Sequence, residues 1–391
     1  MLSLSLLFKR FLKIGATAYG GPAIAGQMKK SVVKDWGWMK EPEFMQGIAL
    51  CQLIPGATFV QLSAYIGYRL RGIWGAFVCA IGFVLPAFGL ILALSSIYFS
   101  LGNLWFIQSL FKGLGAIVVA IVLNAFFNFG KPLLRDWKTI LIAALSFLGF
   151  VFRVNIILVF VLAATAAFFL RLNLPGKGAP SPPGLPKATL NAIGNPLFLG
   201  TLALLIGGIL IACYFINNQL FYLSLLLSKV GALAFGGGFT IIPLIQYEVV
   251  DRFQWVSTKE FLDGIAMGQV TPGPIMITAT FLGYKLSGFW GAVMATIAIF
   301  SPAFFIVTLL IPYYDRLKGI RSVRIMEQGV LASFVGMLGL VLYNFGRTTF
   351  VDMPTVVFAV AAFIALLKKI DLAYILLAGA ILSILVYGFL L

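Results

Sequence analysis

Residues 43–56 read EFMQGIALCQLIPG, and residues 260–273 read EFLDGIAMGQVTPG. The pairing extends upstream, where KIGATAYGGP at 13–22 stands beside KVGALAFGGG at 229–238. It continues downstream with the same offset, give or take one residue. The chain therefore contains two related halves. Each half carries the same two interruptions of an apolar segment, one rich in glycine and one built on proline and glycine.

Composition places the chain in a membrane. It has 391 residues, 61% of them hydrophobic and 10% charged, with a mean hydropathy of +1.04, whereas soluble proteins average about 25% charged residues. The net charge is +16, but the basic residues fall in short loops between apolar runs. They therefore indicate topology and not a nucleic-acid partner. The expected surroundings are the lipid bilayer.

Histidine is absent, and the three cysteines lie singly in apolar segments. This composition excludes imidazole proton relays, histidine metal sites and Ser-His or Cys-His catalysis. We expect no cofactor, no metal and no enzymatic activity.

The fold class follows from the apolar runs and the repeat. We predict an all-α polytopic membrane protein with two inverted-topology repeats of Gly/Pro-broken helices, some of them re-entrant. We place a first repeat at 1–171, a linker with a connecting transmembrane helix at 172–219, and a second, inverted repeat at 220–391. The halves are expected to be inverted because matching runs are separated by an odd number of crossings.

Two topologies remain open. If every run crosses the bilayer, the positive-inside rule places the N-terminus in the cytoplasm. One loop, with Lys29, Lys30, Lys34 and Lys40, then lies on the wrong side. In the alternative, the first two runs of each half enter the membrane and return, which moves this loop to the cytoplasmic side and keeps the halves inverted.

The interruptions are the candidate binding site. A half-helix that starts after a break presents free N–H groups and a positive dipole end, which favours an anion. Irregular backbone within the bilayer is tolerated where it faces protein or water. A packing kink is the structural alternative, but breaks at matched positions favour a site. The candidate substrate-binding residues are Lys13, Gly20, Gly21, Pro22, Gln52, Pro55, Gly56, Lys229, Gly236, Gly237, Gly238, Gln269, Pro272 and Gly273.

Lys229 stands out because it lies inside an apolar run, where an ionised lysine costs about 2.5–3.5 kcal/mol. Snorkelling of its ammonium group to the interface is the alternative explanation. A second group of ionisable residues could serve in proton coupling or gating, although the acids among them also suit helix N-termini. These are Glu43, Glu260, Arg69, Lys285, Asp263 and Glu327.

At these motifs the chain resembles the chromate ion transporter family. The residues that carry the resemblance are the glycine break after Tyr19, the Glu43-Phe44 pair, the Pro55-Gly56 break and Gly67-Tyr68-Arg69, each with its counterpart in the second half. Ala57 and Gly238 stand where the family has proline.

The resemblance implies export of chromate, with sulfate as a related dianion, by a multi-pass protein of a bacterial or archaeal cytoplasmic membrane. It also implies chromate resistance, with proton coupling and a homodimer as open alternatives. Other classes stay open too: a transporter or channel for another small anion or organic acid, and an intramembrane enzyme acting on a lipid phosphate. The enzyme would need a clustered acid, base or metal set, and the sequence shows none.

Overall fold

The computed structural model describes residues 2–19, 21–101, 104–170, 172, 196–234, 238–311 and 321–390, and all regular secondary structure within them is helical. This confirms the predicted all-α class. The helices are α1 Leu4–Thr17, α2 Gly21–Lys29, α3 Glu41–Leu53, α4 Thr58–Leu101, α5 Trp105–Leu133, α6 Trp137–Val151, α7 Ile156–Phe169, α8 Pro196–Ile216, α9 Asn218–Leu233, α10 Ile241–Ile245, α11 Thr258–Val270, α12 Thr278–Leu310, α13 Arg321–Thr349, α14 Met353–Leu367 and α15 Leu372–Leu385.

Among the described residues, five helical stretches are long and apolar enough to cross a membrane: Thr58–Leu101, Trp105–Leu133, Ile275–Leu310, Arg324–Thr349 and Leu372–Phe389. Shorter apolar helices lie at Trp137–Val151, Ile156–Phe169, Leu197–Ile211 and Met353–Leu367. The chain is therefore a multi-pass membrane protein.

The chain forms two compact units. Unit 1 comprises Met1–Ser100, Pro182–Ile241 and Met267–Lys318, and unit 2 comprises Leu101–Ser181, Ile242–Ala266 and Gly319–Leu391. Each unit takes segments from both sequence halves, so the compact units cut across the predicted repeats at 1–171 and 220–391. Of the predicted linker and connecting helix at 172–219, residues 173–195 lie outside the described residues, and α8 occupies Pro196–Ile216.

In unit 1, α4 is two helices joined by a tight turn. Arg71 (φ −147°) and Gly72 (φ 62°) leave helical geometry, and the backbones of Gly67 and Gly75 touch across the turn. Ser287 and Gly288 make the same turn in α12, with φ of −151° and 59°. The segment from Thr58 to Arg71 is therefore one arm of a hairpin, and Gly72 allows the positive φ at its corner.

The first run of the chain also folds back on itself. Thr17 at the end of α1 accepts a hydrogen bond from the Gln27 amide at 2.6 Å, although ten residues of continuous helix would separate them by about 15 Å. Farther from the turn, Arg10 lies 5.1 Å from the ring centre of Trp36. Helix α1 and the segment that begins with α2 therefore run antiparallel.

The second run forms a similar hairpin between α3 and the first arm of α4. An ion pair joins Glu43 to Arg69 at its open end, and Gly47 lies against the Tyr65 ring nearer the closed end. The 13 residues of α3 reach only about 20 Å, less than the hydrocarbon core of about 30 Å. Both segments of the first half therefore fold back on themselves, as the re-entrant topology predicts.

This arrangement favours the re-entrant one of the two predicted topologies for the first half. Lys29 pairs with Glu41 at 2.6 Å, and the loop that carries them joins the open ends of the two hairpins. The hydrogen bond from Lys29 lowers the pKa of Glu41, which favours the ion pair. The loop thus lies on the same side as Arg10. Its lysines then agree with the positive-inside rule, which they violate in the all-crossing topology.

The two halves are inverted within unit 1. Residue 77 of α4 matches residue 293 of α12, and residue 88 matches residue 304. The rings of Phe77 and Phe304 lie 6.1 Å apart, so the start of one matched helix packs against the end of the other. Antiparallel packing of equivalent helices requires a two-fold axis perpendicular to them, as in inverted repeats.

Unit 2 is a bundle in which α13 packs on α5, α6 and α7, and α5 also carries α14 and α15. Glycines allow the close approaches: Gly329 lies against the backbone of α7 and Gly336 against that of α6. Lys112 in α5 pairs with Asp352, which caps α14, at 2.6 Å.

Candidate functional site

The described parts of the four predicted breaks all belong to unit 1. α1 ends at Thr17 before α2 begins at Gly21, and α3 ends at Leu53 before α4 begins at Thr58. In the second half, α9 ends at Leu233 before the first break. A short 3-10 turn at Gly238–Thr240 follows this break, and another at Ile275–Ile277 follows the second break. Gly20, Gly236 and Gly237 lie outside the described residues.

Two reciprocal hydrogen bonds connect the breaks of one half to those of the other. The Gly56 N–H donates to the Ala234 carbonyl at 2.6 Å, and the Gly273 N–H donates to the Ala18 carbonyl at 2.8 Å. Gly56 and Gly273 are equivalent in the repeat, as are Ala18 and Ala234. Reciprocal contacts of this kind are the signature of a two-fold relation. We call this pair of bonds the junction.

Both junction glycines adopt backbone angles that only glycine accepts readily. Gly56 has φ +130° and Gly273 has φ +107°. A Cβ on Gly56 would lie 2.9 Å from the Cβ of Ala303, and one on Gly273 would lie 3.0 Å from the Cβ of Ala87. Ala303 and Ala87 are themselves equivalent positions, so the close packing follows the same two-fold relation.

Helices α2 and α4 begin within three residues of Ala18 and Gly56. The first N–H groups of a helix have no partner within the helix and carry a partial positive charge. The junction therefore lies beside donor groups suited to an anion, at the closed end of the α3–α4 hairpin, whose α3 arm is about 20 Å long.

The predicted cations and amides differ between the halves. Lys13 is exposed, whereas Lys229 is half-buried. Gln52 is exposed, whereas Gln269 is 5% exposed, and its Nε2 has no hydrogen-bond partner among the described residues. The matched prolines follow the same trend, with Pro55 half-buried and Pro272 buried.

Gly238 packs against the Ile275 side chain, so the two breaks of the second half touch. Gly21 opens α2, and Pro22 follows it. These contacts bring breaks together within unit 1. They do not bring Lys13, which is one turn away on an exposed helix face, to the junction.

The coupling and gating candidates are dispersed. In unit 1, Glu43 forms an ion pair with Arg69 at the open end of the α3–α4 hairpin. The Lys285 ammonium lies 5.3 Å from the ring centre of Phe99. In unit 2, Glu260 accepts hydrogen bonds from the N–H and hydroxyl of Ser257, which makes it part of a capping box at the start of α11.

The two remaining acids also belong to unit 2. Asp263 is 2% exposed, and Glu327 is half-buried in α13. Of these two acids, Asp263 is the more deeply buried, and it lies on a helix that leads towards a break. Among the described residues, no group of His, Cys, Asp and Glu has a metal-binding arrangement.

The sequence did not indicate one residue of the site. Gln61 is fully buried, and its amide donates to the Pro55 carbonyl at 2.7 Å. It thereby satisfies a carbonyl that the break leaves without a helical partner. The alignment of the halves has its single-residue gap in this stretch, so no equivalent position drew attention to it.

These features define an all-α membrane protein of two related, inverted halves whose discontinuous helices meet at a shared junction. This architecture is typical of secondary transporters. The family can be stated as well. The sequence model described as Chromate transporter matches residues 5–168 and 221–384, and the chain belongs to this family.

Relatives that match nearly the whole chain are named as transporters or transport proteins. An uncharacterized transporter of Methanocaldococcus jannaschii is 35% identical, covering 97% of this chain and 94% of the relative. A probable chromate transport protein of Synechococcus elongatus is 30% identical, covering 99% and 96%. A chromate transport protein of Cupriavidus metallidurans is 30% identical, covering 98% and 94%. No solved structure matches the chain significantly.

Proposed function

We propose that this protein exports chromate, or a related oxyanion dianion such as sulfate, across the cytoplasmic membrane, and that the anion binds at the junction. The observation that carries the proposal is the reciprocal pair of hydrogen bonds from Gly56 to Ala234 and from Gly273 to Ala18. Membership of the family and the names of the full-length relatives support the substrate class.

The binding chemistry uses backbone and amide donors. The anion receives N–H groups from the first turns of α2 and α4, and a hydrogen bond from the buried Nε2 of Gln269. Lys229 supplies a positive charge one turn before Ala234. A dianion loses its hydration on entering the membrane, and these donors replace part of it.

The transport mechanism is alternating access. Two inverted halves can exchange conformations, so that the arrangement of one half in the inward-open state becomes that of the other half in the outward-open state. The junction couples them because each of its bonds joins a break of one half to a break of the other. Lengthening one bond while the other persists would open the site to one side.

The direction follows from charge. Moving one charge through 100 mV is worth about 2.3 kcal/mol, so a dianion leaving a negative interior gains about 4.6 kcal/mol. Export needs no other driving force. Asp263 is our candidate for an additional coupled proton, because this residue is 2% exposed and lies in the helix that precedes the Pro272–Gly273 break.

The test is chromate flux from vesicles containing the purified protein. We expect efflux to accelerate when the interior is made negative with potassium and valinomycin, and to be inhibited by sulfate more strongly than by monocarboxylates. Flux that ignores both the potential and a pH gradient would contradict the proposed energetics. Inhibition by monocarboxylates alone would reassign the substrate to organic acids.

The coupling role has its own matched pair of variants. Asp263→Asn should remove the response to a pH gradient and keep the response to potential. Asp371→Asn should change neither, because asparagine also caps a helix and Asp371 serves as a cap of α15. A full pH response in Asp263→Asn would exclude this carboxyl group.

A further inference from the structure

A long apolar cavity lies in unit 1 between α4, α8 and α12. Its volume is about 400 Å³. Along the second arm of α4 it is lined from Phe77 to Phe88, and along α12 from Val293 to Phe305, with Val60 added from the first arm of α4. Leu205 and Ile209 form the third wall on α8. Because residues 77–88 and 293–304 are equivalent in the repeat, matched segments of both halves line the cavity.

The wall chemistry admits only an apolar occupant. The lining is almost wholly hydrocarbon, and its few polar side chains include Thr296 and Ser301. The Thr296 hydroxyl is already engaged, at 2.7 Å from both the Ala292 carbonyl and the Thr280 hydroxyl. A polar ligand would lose its hydration here without gaining partners.

The dimensions fit one hydrocarbon chain. Residues 77 to 88 of α4 span about 16 Å, so 400 Å³ corresponds to a mean cross-section of roughly 25 Å². Carbon chains in contact at about 4.0–4.5 Å each occupy about 16–20 Å² of cross-section. The cavity is therefore wide enough for one hydrocarbon chain.

The cavity communicates with the bilayer. Ile81 and Leu85 on α4 and Ile297 on α12 line it and are 40%, 43% and 37% exposed. α4 and α12 are long and apolar enough to cross a membrane, so the medium that meets these side chains is lipid. An empty void of this size would forfeit the dispersion contacts of its whole lining.

We propose that this cavity is a binding site for one acyl chain of a membrane phospholipid. The acyl chain contacts equivalent surfaces of both halves. It also contacts α8, the helix that has no counterpart in the repeat. The cavity reaches Val60 in the first turn of α4 but is lined by apolar side chains, whereas the junction is formed by backbone groups. The proposal therefore does not depend on which anion the protein carries.

The test uses vesicles of phosphatidylcholine containing a phosphatidylcholine with a diazirine in its acyl chain. After illumination, cross-linked peptides are located by mass spectrometry. We expect saturable labelling concentrated on residues 77–88, 202–210 and 293–305, at up to one lipid per protein. Labelling spread evenly over all exposed apolar side chains would overturn the proposal.

Neighbouring residues on α8 provide the matched control. Leu205 lines the cavity, whereas Leu204 does not and is 77% exposed. Leu205→Trp should abolish the concentrated labelling, and Leu204→Trp should preserve it. Val84→Trp fills the cavity from α4 and should act like Leu205→Trp, with Leu90→Trp as its exposed control. Unchanged labelling in both filling variants, with folding verified by thermal unfolding, would reject the site.

Discussion

The two breaks that form the junction share a backbone but not their side chains. At Gly56 and Gly273 the dihedral region, the hydrogen-bond partner and the close alanine contact are all equivalent. Around Gly56, however, Gln61 turns inward to the Pro55 carbonyl and Gln52 is exposed. Around Gly273, Gln269 is buried, and its Nε2 has no hydrogen-bond partner in the part of the chain that the structure describes. Backbone geometry therefore maintains the two-fold relation, while the side chains make the site asymmetric.

The largest effect is expected from a side chain at either junction glycine. In Gly56→Ala and Gly273→Ala the new alanine must hold an unfavourable φ, which costs about 1–3 kcal/mol. Its methyl group also presses on Ala303 in the first variant and on Ala87 in the second. We expect chromate flux to fall below a tenth of its normal value in both. Gly89→Ala, where a Cβ has open space, is the control for expression and flux.

A double variant sharpens this result. Ala87→Gly removes the 3.0 Å contact met by a Cβ at Gly273 but leaves the unfavourable φ. Partial recovery in Gly273→Ala/Ala87→Gly would separate crowding from backbone strain. Normal flux in both single variants would refute the junction as a functional element.

The matched lysines come next. Lys229→Ala should abolish transport without loss of expression, because its half-buried position keeps its charge close to the second-half break. Lys13→Ala should reduce flux only a few-fold, since Lys13 is exposed. The measurement is initial efflux at several ionic strengths. Equal losses in the two variants would mean that the site is symmetric in charge.

The matched glutamines should show a smaller difference of the same sense. A hydrogen bond to a charged group contributes about 1.5–3 kcal/mol, so Gln269→Ala should weaken apparent chromate affinity about tenfold or more. Gln52→Ala should change it less than twofold. Calorimetric titration with chromate gives both values, and an equal effect of the two substitutions would contradict the asymmetry.

The smallest effect is expected at the open end of the α3–α4 hairpin. The Arg69 side chain is 9% exposed and that of Glu43 is 25% exposed, so removing one partner leaves a largely buried charge uncompensated. Glu43→Gln should lower the melting temperature by a few degrees and change flux only modestly. Exposed Glu41→Gln should lower it less, and the reverse order would assign the Glu43–Arg69 pair no role in holding the hairpin.

Much of the site could be read from residue types. Glycine and proline at 54–57 and 271–274 indicated broken helices because their backbone properties are local. The matched segments 13–22 and 229–238 indicated that the two halves are related in sequence. By contrast, nothing local distinguishes Gln52 from Gln269, because burial depends on which helices cover each position. Gln61 escaped notice for the same reason.

By itself, the sequence determined that this is an all-α membrane protein of two related halves with breaks at matched positions, because apolar length and backbone propensity are properties of short segments. Only the tertiary structure decided that the first-half runs fold back, that equivalent helices pack antiparallel, and that Gly56 and Gly273 bond across the halves. These contacts join residues far apart in the chain. Their energies come from close packing and from satisfying backbone groups left free by the breaks, and neither can be assigned until the partner is known.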